Sequence, residues 1–337
     1  MLLALASGGH VHAATICVHS GDVVGLKAAL ATAEQNGEDD LIEVETGQYY
    51  LSDADTLSYY PSVEQRSLTI EGGYSEFFSN PCEVPPSSPD ARQTVLDGGH
   101  LSLTLPDGAG SINLKSITVR NTVSNNQHSV PVIIGGLANS TGNLYIYNSI
   151  FSGNSSLANA AIFFGASSGT LVVQNSLFES NASFAGMSPI GFSGVAINNL
   201  CMEVVNSTFT QNASSQPGVR ISTPACVALV ANSIFWGNSG GDINIGIPAM
   251  TSMVNDDLGN LDEAANTQAV NLLSINPMFN PDFSLQDTSP LRDAGSTGNI
   301  FFSPGNFDVI GSPRIYGTNP DIGAFEIQDV IFASAFD

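Results

Sequence analysis

Apolar and polar residues alternate in runs of a few positions along most of this chain, and four of the runs share one pattern. YNSIFSGN (147–154), QNSLFESN (174–181), VNSTFTQN (205–212) and ANSIFWGN (231–238) each read N-S-x-F-x-x-N. Their leading asparagines, Asn148, Asn175, Asn206 and Asn232, are spaced by 27, 31 and 26 residues. Apolar residues stand four and two positions before each asparagine: Leu144 and Ile146, Leu171 and Val173, Met202 and Val204, Ala228 and Val230. A period of two places such residues on one face of a strand. After the asparagine, serine and phenylalanine are again two apart, so Phe151, Phe178, Phe209 and Phe235 are expected to point inward. Each unit is two short strands hinged at an asparagine. That residue tolerates the left-handed backbone of a sharp bend, and its stacked amides can hydrogen-bond along an axis. LKSITVRN (114–121) reads as a looser, earlier copy.

Short strands recurring at this interval, with no helix between them, exclude the helical repeats and the longer four-stranded propeller blades. The remaining solution is an all-β solenoid, a parallel β-helix whose turns stack about 4.8 Å apart. The cysteines test the register. Cys201 lies five residues before Asn206 and Cys226 six before Asn232, nearly equivalent places on adjacent turns, which predicts a Cys201–Cys226 bond. Cys17 with Cys82 then follows by elimination. With no CxxC pair, a zinc or thioredoxin-type site is not expected.

A stacked coil needs closing at its ends. The stretch 22–36 spaces Val23, Leu26, Leu30 and Ala33 as a short amphipathic helix, and Gly37 stops it. It is expected to cap the coil's N-terminal end. LIEV (41–44), SLTIEGGY (67–74) and TVLDGG (94–99) read as early strands with glycine corners. Together these segments resemble the start of bacterial extracellular proteins of the pectate-lyase-like superfamily. The C-terminal segments NPMF (276–279), FSLQDTSPLRDAGS (283–296) and PDIGAFE (320–326) resemble the choice-of-anchor Q domain family. Their signature residues here are Asp293, Gly295, Asp321, Gly323 and Glu326. The N-S-x-F-x-x-N units also resemble repeats of polymorphic outer-membrane adhesins, without the G-G-A-I partner. The resemblance implies a right-handed parallel β-helix exported to the bacterial envelope or beyond, with Asp293, Asp321 and Glu326 in turn and end-cap hydrogen bonds. Its enzymes usually cleave acidic polysaccharides.

The expected organisation is a signal peptide over 1–13 with a truncated n-region, a cap and first turn over 14–64, and repeat turns over 65–240. C-terminal turns and the anchor-like module then cover 241–327, and a tail covers 328–337. The tail reads as a final strand or frayed end, with a sorting role as the alternative. No later stretch is apolar enough to span a membrane.

Charge narrows the partners. Lys and Arg number 8 against 31 Asp and Glu, a net charge of −23 that excludes nucleic acid as an ordinary partner. Between Gly108 and Gly241 only Glu179 and Glu203 are acidic, and they fall on different strands of different turns, a poor hydrolase pair. Asp97, Asp107 and Asp242 flank the repeats as further candidates. The central cations Lys115, Arg120 and Arg220 form no evident lyase site. Asp256, Asp257, Asn260, Asp262 and Glu263 offer oxygen ligands suited to calcium, but without the EF-hand pattern they read as a solvated loop, and no cofactor is expected. Tyr145, Tyr147 and Trp236 alternate with inward residues and are expected to face outward, for sugar or protein contact or beneath covering loops. No catalytic residue is assigned. The expectation is a secreted or surface-associated β-helix that presents loops to an extracellular polysaccharide or a surface protein. The alternative is a polysaccharide lyase or glycoside hydrolase.

Overall fold

In a computed structural model the described residues are 14–61, 66–77, 80–105, 110–123, 133–135, 141–157, 160–165, 169–184, 190–193, 200–214, 217–222, 227–246, 250–263, 267–297 and 303–328. The expected signal peptide, Asp107, Cys226, the side chain of Cys201 and the tail beyond residue 328 lie outside them. The expected Cys201–Cys226 bond therefore falls outside the described residues.

The chain is a solenoid of parallel strands. One sheet stacks Ala14–Val18, Asp40–Glu45, Leu68–Phe77, Ser111–Lys115, Asn143–Tyr147, Leu171–Gln174, Leu200–Val205, Val227–Ala231, Met250–Val254 and Thr267–Val270, each paired in parallel with the next. A second sheet has two runs that share the long strands Gly47–Tyr59 and Thr94–Thr104. One run continues through Thr118–Arg120, Ile150–Ser152, Leu177–Glu179, Thr208–Thr210 and Ile234–Trp236. The other continues through Ile133–Gly135, Ile162–Phe164, Ile190–Ser193, Val219–Ser222 and Ile243–Gly246. Each turn thus supplies three faces to one interior.

Side-chain alternation builds that interior. Leu68, Ile112, Leu144, Leu171, Met202 and Ala228 align in one buried column, and Ile70, Leu114, Ile146, Val173, Val204 and Val230 in the next. Across from them the rings of Phe151, Phe178, Phe209 and Phe235 stack at 4.8, 4.8 and 4.7 Å, with planes within 5° of parallel. The strand spacing sets this separation, because in-register parallel strands repeat the same side chain every turn.

Two corners per turn bend the backbone through left-handed conformations. Asn148, Asn175, Asn206 and Asn232 occupy the first corner at φ of 46°, 51°, 47° and 51°, and Ser116, Asn255 and Asn271 extend the column in both directions. The early copy is therefore shifted by one residue from its sequence alignment. Leu114 pairs with Ile146, so Ser116 rather than Lys115 takes the asparagine's place. The repeat also continues into 255–260, where Asp256 and Asp257 are fully buried and not part of a solvated loop.

The continuous amide ladder forms on the trailing asparagines and not on Asn148, Asn175, Asn206 and Asn232; in the leading column Asn271 Nδ2 donates to Asn255 Oδ1 at 2.9 Å. Asn154 Nδ2 donates to Asn181 Oδ1, Asn181 Nδ2 to Asn212 Oδ1, and Asn212 Nδ2 to Asn238 Oδ1, each at 2.9 Å. Thr122 Oγ1 donates to Asn154 Oδ1 at one end, and Asp242 Oδ1 accepts from Asn238 Nδ2 at 2.8 Å at the other. The trailing side chains point into the coil, where an amide must find partners within the protein.

A helix at Val23–Ala33 is N-capped by Asp22, whose Oδ1 accepts from Gly25 N, and buries Leu26, Ala29, Leu30 and Ala33. Cys17 and Cys82 form a disulfide that ties the first strand to the antiparallel hairpin closed by Asn80–Val84, with 5.8 Å between Cα atoms. It closes a sequence separation of 65 residues, so Cys17→Ser with Cys82→Ser is expected to lower stability by about 4 kcal/mol in chemical denaturation. A loss under about 1 kcal/mol would show that the hairpin is held by its other contacts. No described helix is long and apolar enough to cross a membrane.

After Thr267–Val270 the chain turns back, and residues 274–297 and 303–327 lie along the side of the coil. The corner asparagines receive this strap. Asn232 Nδ2 donates to Ser296 O, Asn175 and Asn206 Nδ2 to Pro304 O, and Asn148 Nδ2 to Phe307 O and Asp308 O. The x positions of the repeat face outward beneath it. Ile150 and Leu177 pack with Val309, Ala324 and Phe325, and Ile234 with Leu285, Leu291 and Ile322.

Candidate functional site

Outward positions of the first sheet form two columns that the register fixes. Glu43, Glu71, Lys115, Tyr147 and Gln174 follow one another in the first, and Thr69, Asn113, Tyr145, Val172 and Glu203 in the second. Where the first column meets the corner, the loop 85–90 and the strap at Phe307 close the sides of a cleft of about 360 Å³. Glu71, Lys115, Tyr147, Asn148, Ser87 and Ser88 line it. The half-buried Tyr145 and Tyr147 rings stack 6.1 Å apart with planes 10° from parallel. Lys115 Nζ stands 4.0 Å from Glu71 Oε2.

Ionisation in this region follows burial. Loss of water pushes the Glu43 carboxyl up; a hydrogen bond with Tyr74 opposes this, and the Glu71 charge adds to it. The Tyr74 hydroxyl is hydrogen-bonded with both Glu43 and Glu71, and burial with those two charges holds it protonated. Burial alone raises Glu203, and burial with Tyr145 and Glu203 raises Tyr147. Sequence reasoning found Tyr145, Tyr147 and Lys115 but missed Glu43, Glu71 and Tyr74. The signal was present, because Ile42-Glu43 and Ile70-Glu71 repeat the apolar-then-outward pairs Leu114-Lys115 and Ile146-Tyr147.

The other charged candidates are dispersed or engaged. Glu179 lies on the second sheet and Glu203 on the first. Lys115, Arg120 and Arg220 stand on three different faces. Asp97, Arg120, Ser152 and Glu179 do form an outward stripe, in register on consecutive turns. Arg120 Nε and Nη2 donate to Asp97 Oδ2 at 2.9 and 2.6 Å, and Asn121 Nδ2 donates to Oδ1 at 2.7 Å. Burial opposes the charged form of Asp97, but these donors outweigh it and hold its carboxyl low. Ser152 Oγ donates to Glu179. Asp242 terminates the amide ladder. Trp236 is half-buried against the strap.

The signature residues sit within the strap. Asp321 accepts from Asp293 N and Ile327 N at 2.7 Å each, and Glu326 Oε2 accepts from Asp321 N at 2.9 Å. Arg314 is wholly buried among them: Nη2 donates to Asp321 O, and Nε lies 3.8 Å from Glu326 Oε2. A Cβ on Gly323, whose φ is 105°, would meet Ile234 Cδ1 at 2.6 Å, and one on Gly295 would meet Pro320 O at 2.7 Å. Glycine at 323 lets the strap approach the coil this closely, and glycine at 295 lets two segments of the strap meet. These groups hold the strap against the coil's side and line no cleft among those described.

Of the residues expected to suit calcium, Asp256 and Asp257 are engaged with backbone donors, and the side chains of Asp262 and Glu263 lie outside the described residues. Asp256 Oδ1 accepts from Ser233 N and Oδ2 from Val254 N, and Asp257 Oδ1 accepts from Ile275 N. Among the described residues the one grouping of metal-ligand types is Cys17, Glu45 and Cys82, and its two sulfurs are bonded to each other. No protein-family model matches this sequence, and no curated protein matches it.

Proposed function

We propose that this chain is a right-handed parallel β-helix of the bacterial cell exterior that holds a glycan in the cleft at Tyr147. The single observation that carries the reading is the cleft itself: the Tyr147 ring, backed by Tyr145, beside Lys115, Glu71 and the hydroxyls of Ser87 and Ser88. A pyranose ring has an apolar face that stacks on an aromatic ring and a rim of hydroxyls that need polar partners. Right-handedness follows from the strong preference of parallel crossovers for that hand. The Val23–Ala33 helix covers the coil's first turn in this reading, and the strap corresponds to the choice-of-anchor Q resemblance. Export accords with the disulfide, which persists in oxidising compartments.

Glycan-array screening followed by calorimetry on the full chain tests this. Tyr147→Ala is expected to weaken the best ligand by about tenfold or more, equivalent to the roughly 1–3 kcal/mol of one buried aromatic contact. An unchanged affinity would move the site elsewhere. A polysaccharide-cleaving enzyme is the second reading, drawn from the stripe of Asp97, Arg120 and Glu179. Incubation with pectate, alginate, xylan and glycosaminoglycan, with and without calcium, decides it, and turnover of any of them would establish catalysis.

A further inference from the structure

We infer that the glycan held at Tyr147 carries free amino groups, a hexosamine polymer with exposed ammonium groups and not a polyuronate. The inference rests on the glycan reading and adds the class of sugar. Five charged residues occupy described outward positions of the first sheet: Glu43, Glu71, Glu76 and Glu203 are acidic, and Lys115 is the one cation. Lys115 already faces Glu71 at 4.0 Å, so the uncompensated charge on this face is negative. The chain as a whole, at −23, reinforces that sign and repels a polyanion before contact.

The geometry suits a cationic chain. Glu43, Glu71, Lys115 and Tyr147 stand on four consecutive turns, a column about 14 Å long at the usual strand spacing. A linear chain of sugar rings laid along it meets carboxylates at one end and the Tyr147 ring at the other. The Tyr74 hydroxyl holds both Glu43 and Glu71, so neither carboxylate must be ordered when a ligand arrives. An ammonium group is attracted by the carboxylates and by the face of an aromatic ring alike, whereas a sugar carboxylate is attracted by neither.

Calorimetry on the full chain, at low and high salt, would compare glucosamine oligomers with their N-acetylated counterparts, cello-oligosaccharides and oligogalacturonates. Glucosamine oligomers are expected to bind about tenfold tighter than the acetylated ones at low salt, and salt should erase the preference. Glu71→Gln and Glu43→Gln should each reduce the preference, while thermal denaturation shows the variants folded. Equal or tighter binding of acetylated, neutral or acidic oligomers, lost in Tyr147→Ala, would overturn the amino-sugar assignment and leave the glycan reading standing. Amino-sugar binding unchanged in both glutamate variants would be general attraction to an acidic protein and would overturn it too. No binding by any oligomer would remove both.

Discussion

An Asn181→Ala chain is expected to lose about 3–6 kcal/mol of stability, measured as a fall in the denaturant midpoint. The asparagine is completely buried and works in both directions along the ladder. Its Oδ1 accepts from Asn154 N at 3.2 Å and Asn154 Nδ2 at 2.9 Å; its Nδ2 donates to Phe151 O at 3.0 Å and to Asn212 Oδ1. Alanine removes all four bonds: Asn154 Nδ2 keeps Val119 O and Asn212 Oδ1 keeps Asn181 N, but Asn154 N and Phe151 O lose these side-chain partners. Each buried orphan costs roughly 1–3 kcal/mol, more than the bond itself contributes when formed. Asn148→Ala is the control, because Asn148 is half-buried and its amide donates to the strap alone. A loss below about 1 kcal/mol for Asn181→Ala would mean that water satisfies the corner.

The asymmetry between these two asparagines bounds how far the sequence could be read. N-S-x-F-x-x-N marks both ends of the motif equally, and assigning the ladder to Asn148, Asn175, Asn206 and Asn232 overlooked direction. A side chain at a left-handed corner points away from the interior, whereas one a strand's length later points in. Phenylalanine positions were legible because alternation and stacking obey one period. The one-residue slip at 114–121 had the same origin: Ser116, not an asparagine, takes the corner, and the serine of LKSITVRN matched the wrong column. Asp256 and Asp257 were misread as solvent-facing because composition hid the repeat, with aspartate where serine usually stands.

The docking of the strap along the coil was not legible in the sequence. Its partners are separated by up to 160 residues, as in Asn148 with Asp308, and such contacts have no period. A trace of it lies at the x position, where Ile150, Leu177 and Ile234 are apolar on a face that should have been wet. Glycines in the strap carry the complementary trace. Gly323 sits where Ile234 of the coil leaves no room for a Cβ, and Gly295 where Pro320 of the strap leaves none, facts visible only once those segments are brought together. The cleft was half legible for a related reason: its tyrosines alternate within one strand, while Glu43 and Glu71 join them only through stacking.

The strap also makes this protein sensitive to alkali. Burial pushes the Glu326 carboxyl up to about 7, with Arg314 drawing it down and Asp321 adding to the rise. Burial raises Asp257 to about 6, partly offset by the hydrogen bond from Ile275 N, with Asp242 raising it further. In the unfolded chain both titrate near pH 4. A folded pKa above the unfolded one means that the folded chain binds more protons between the two. The resulting stability is complete below about pH 4 and is lost as pH rises through 6 and 7. Each shift corresponds to at most about 4 kcal/mol, so stability is expected to fall by several kcal/mol between pH 5 and pH 8. Asp97, held low by Arg120, titrates below that window and does not oppose the trend. Arg314→Met sharpens the test. It leaves Asp308, Asp321 and Glu326 buried without their cation, at a cost of about 3–5 kcal/mol at pH 8. At pH 5 Glu326 carries its proton and the deficit should shrink. Denaturation of both proteins across this range decides the point: stability that is flat or rises with pH, or an Arg314→Met deficit equal at both ends, would show that the strap's acids do not control its docking.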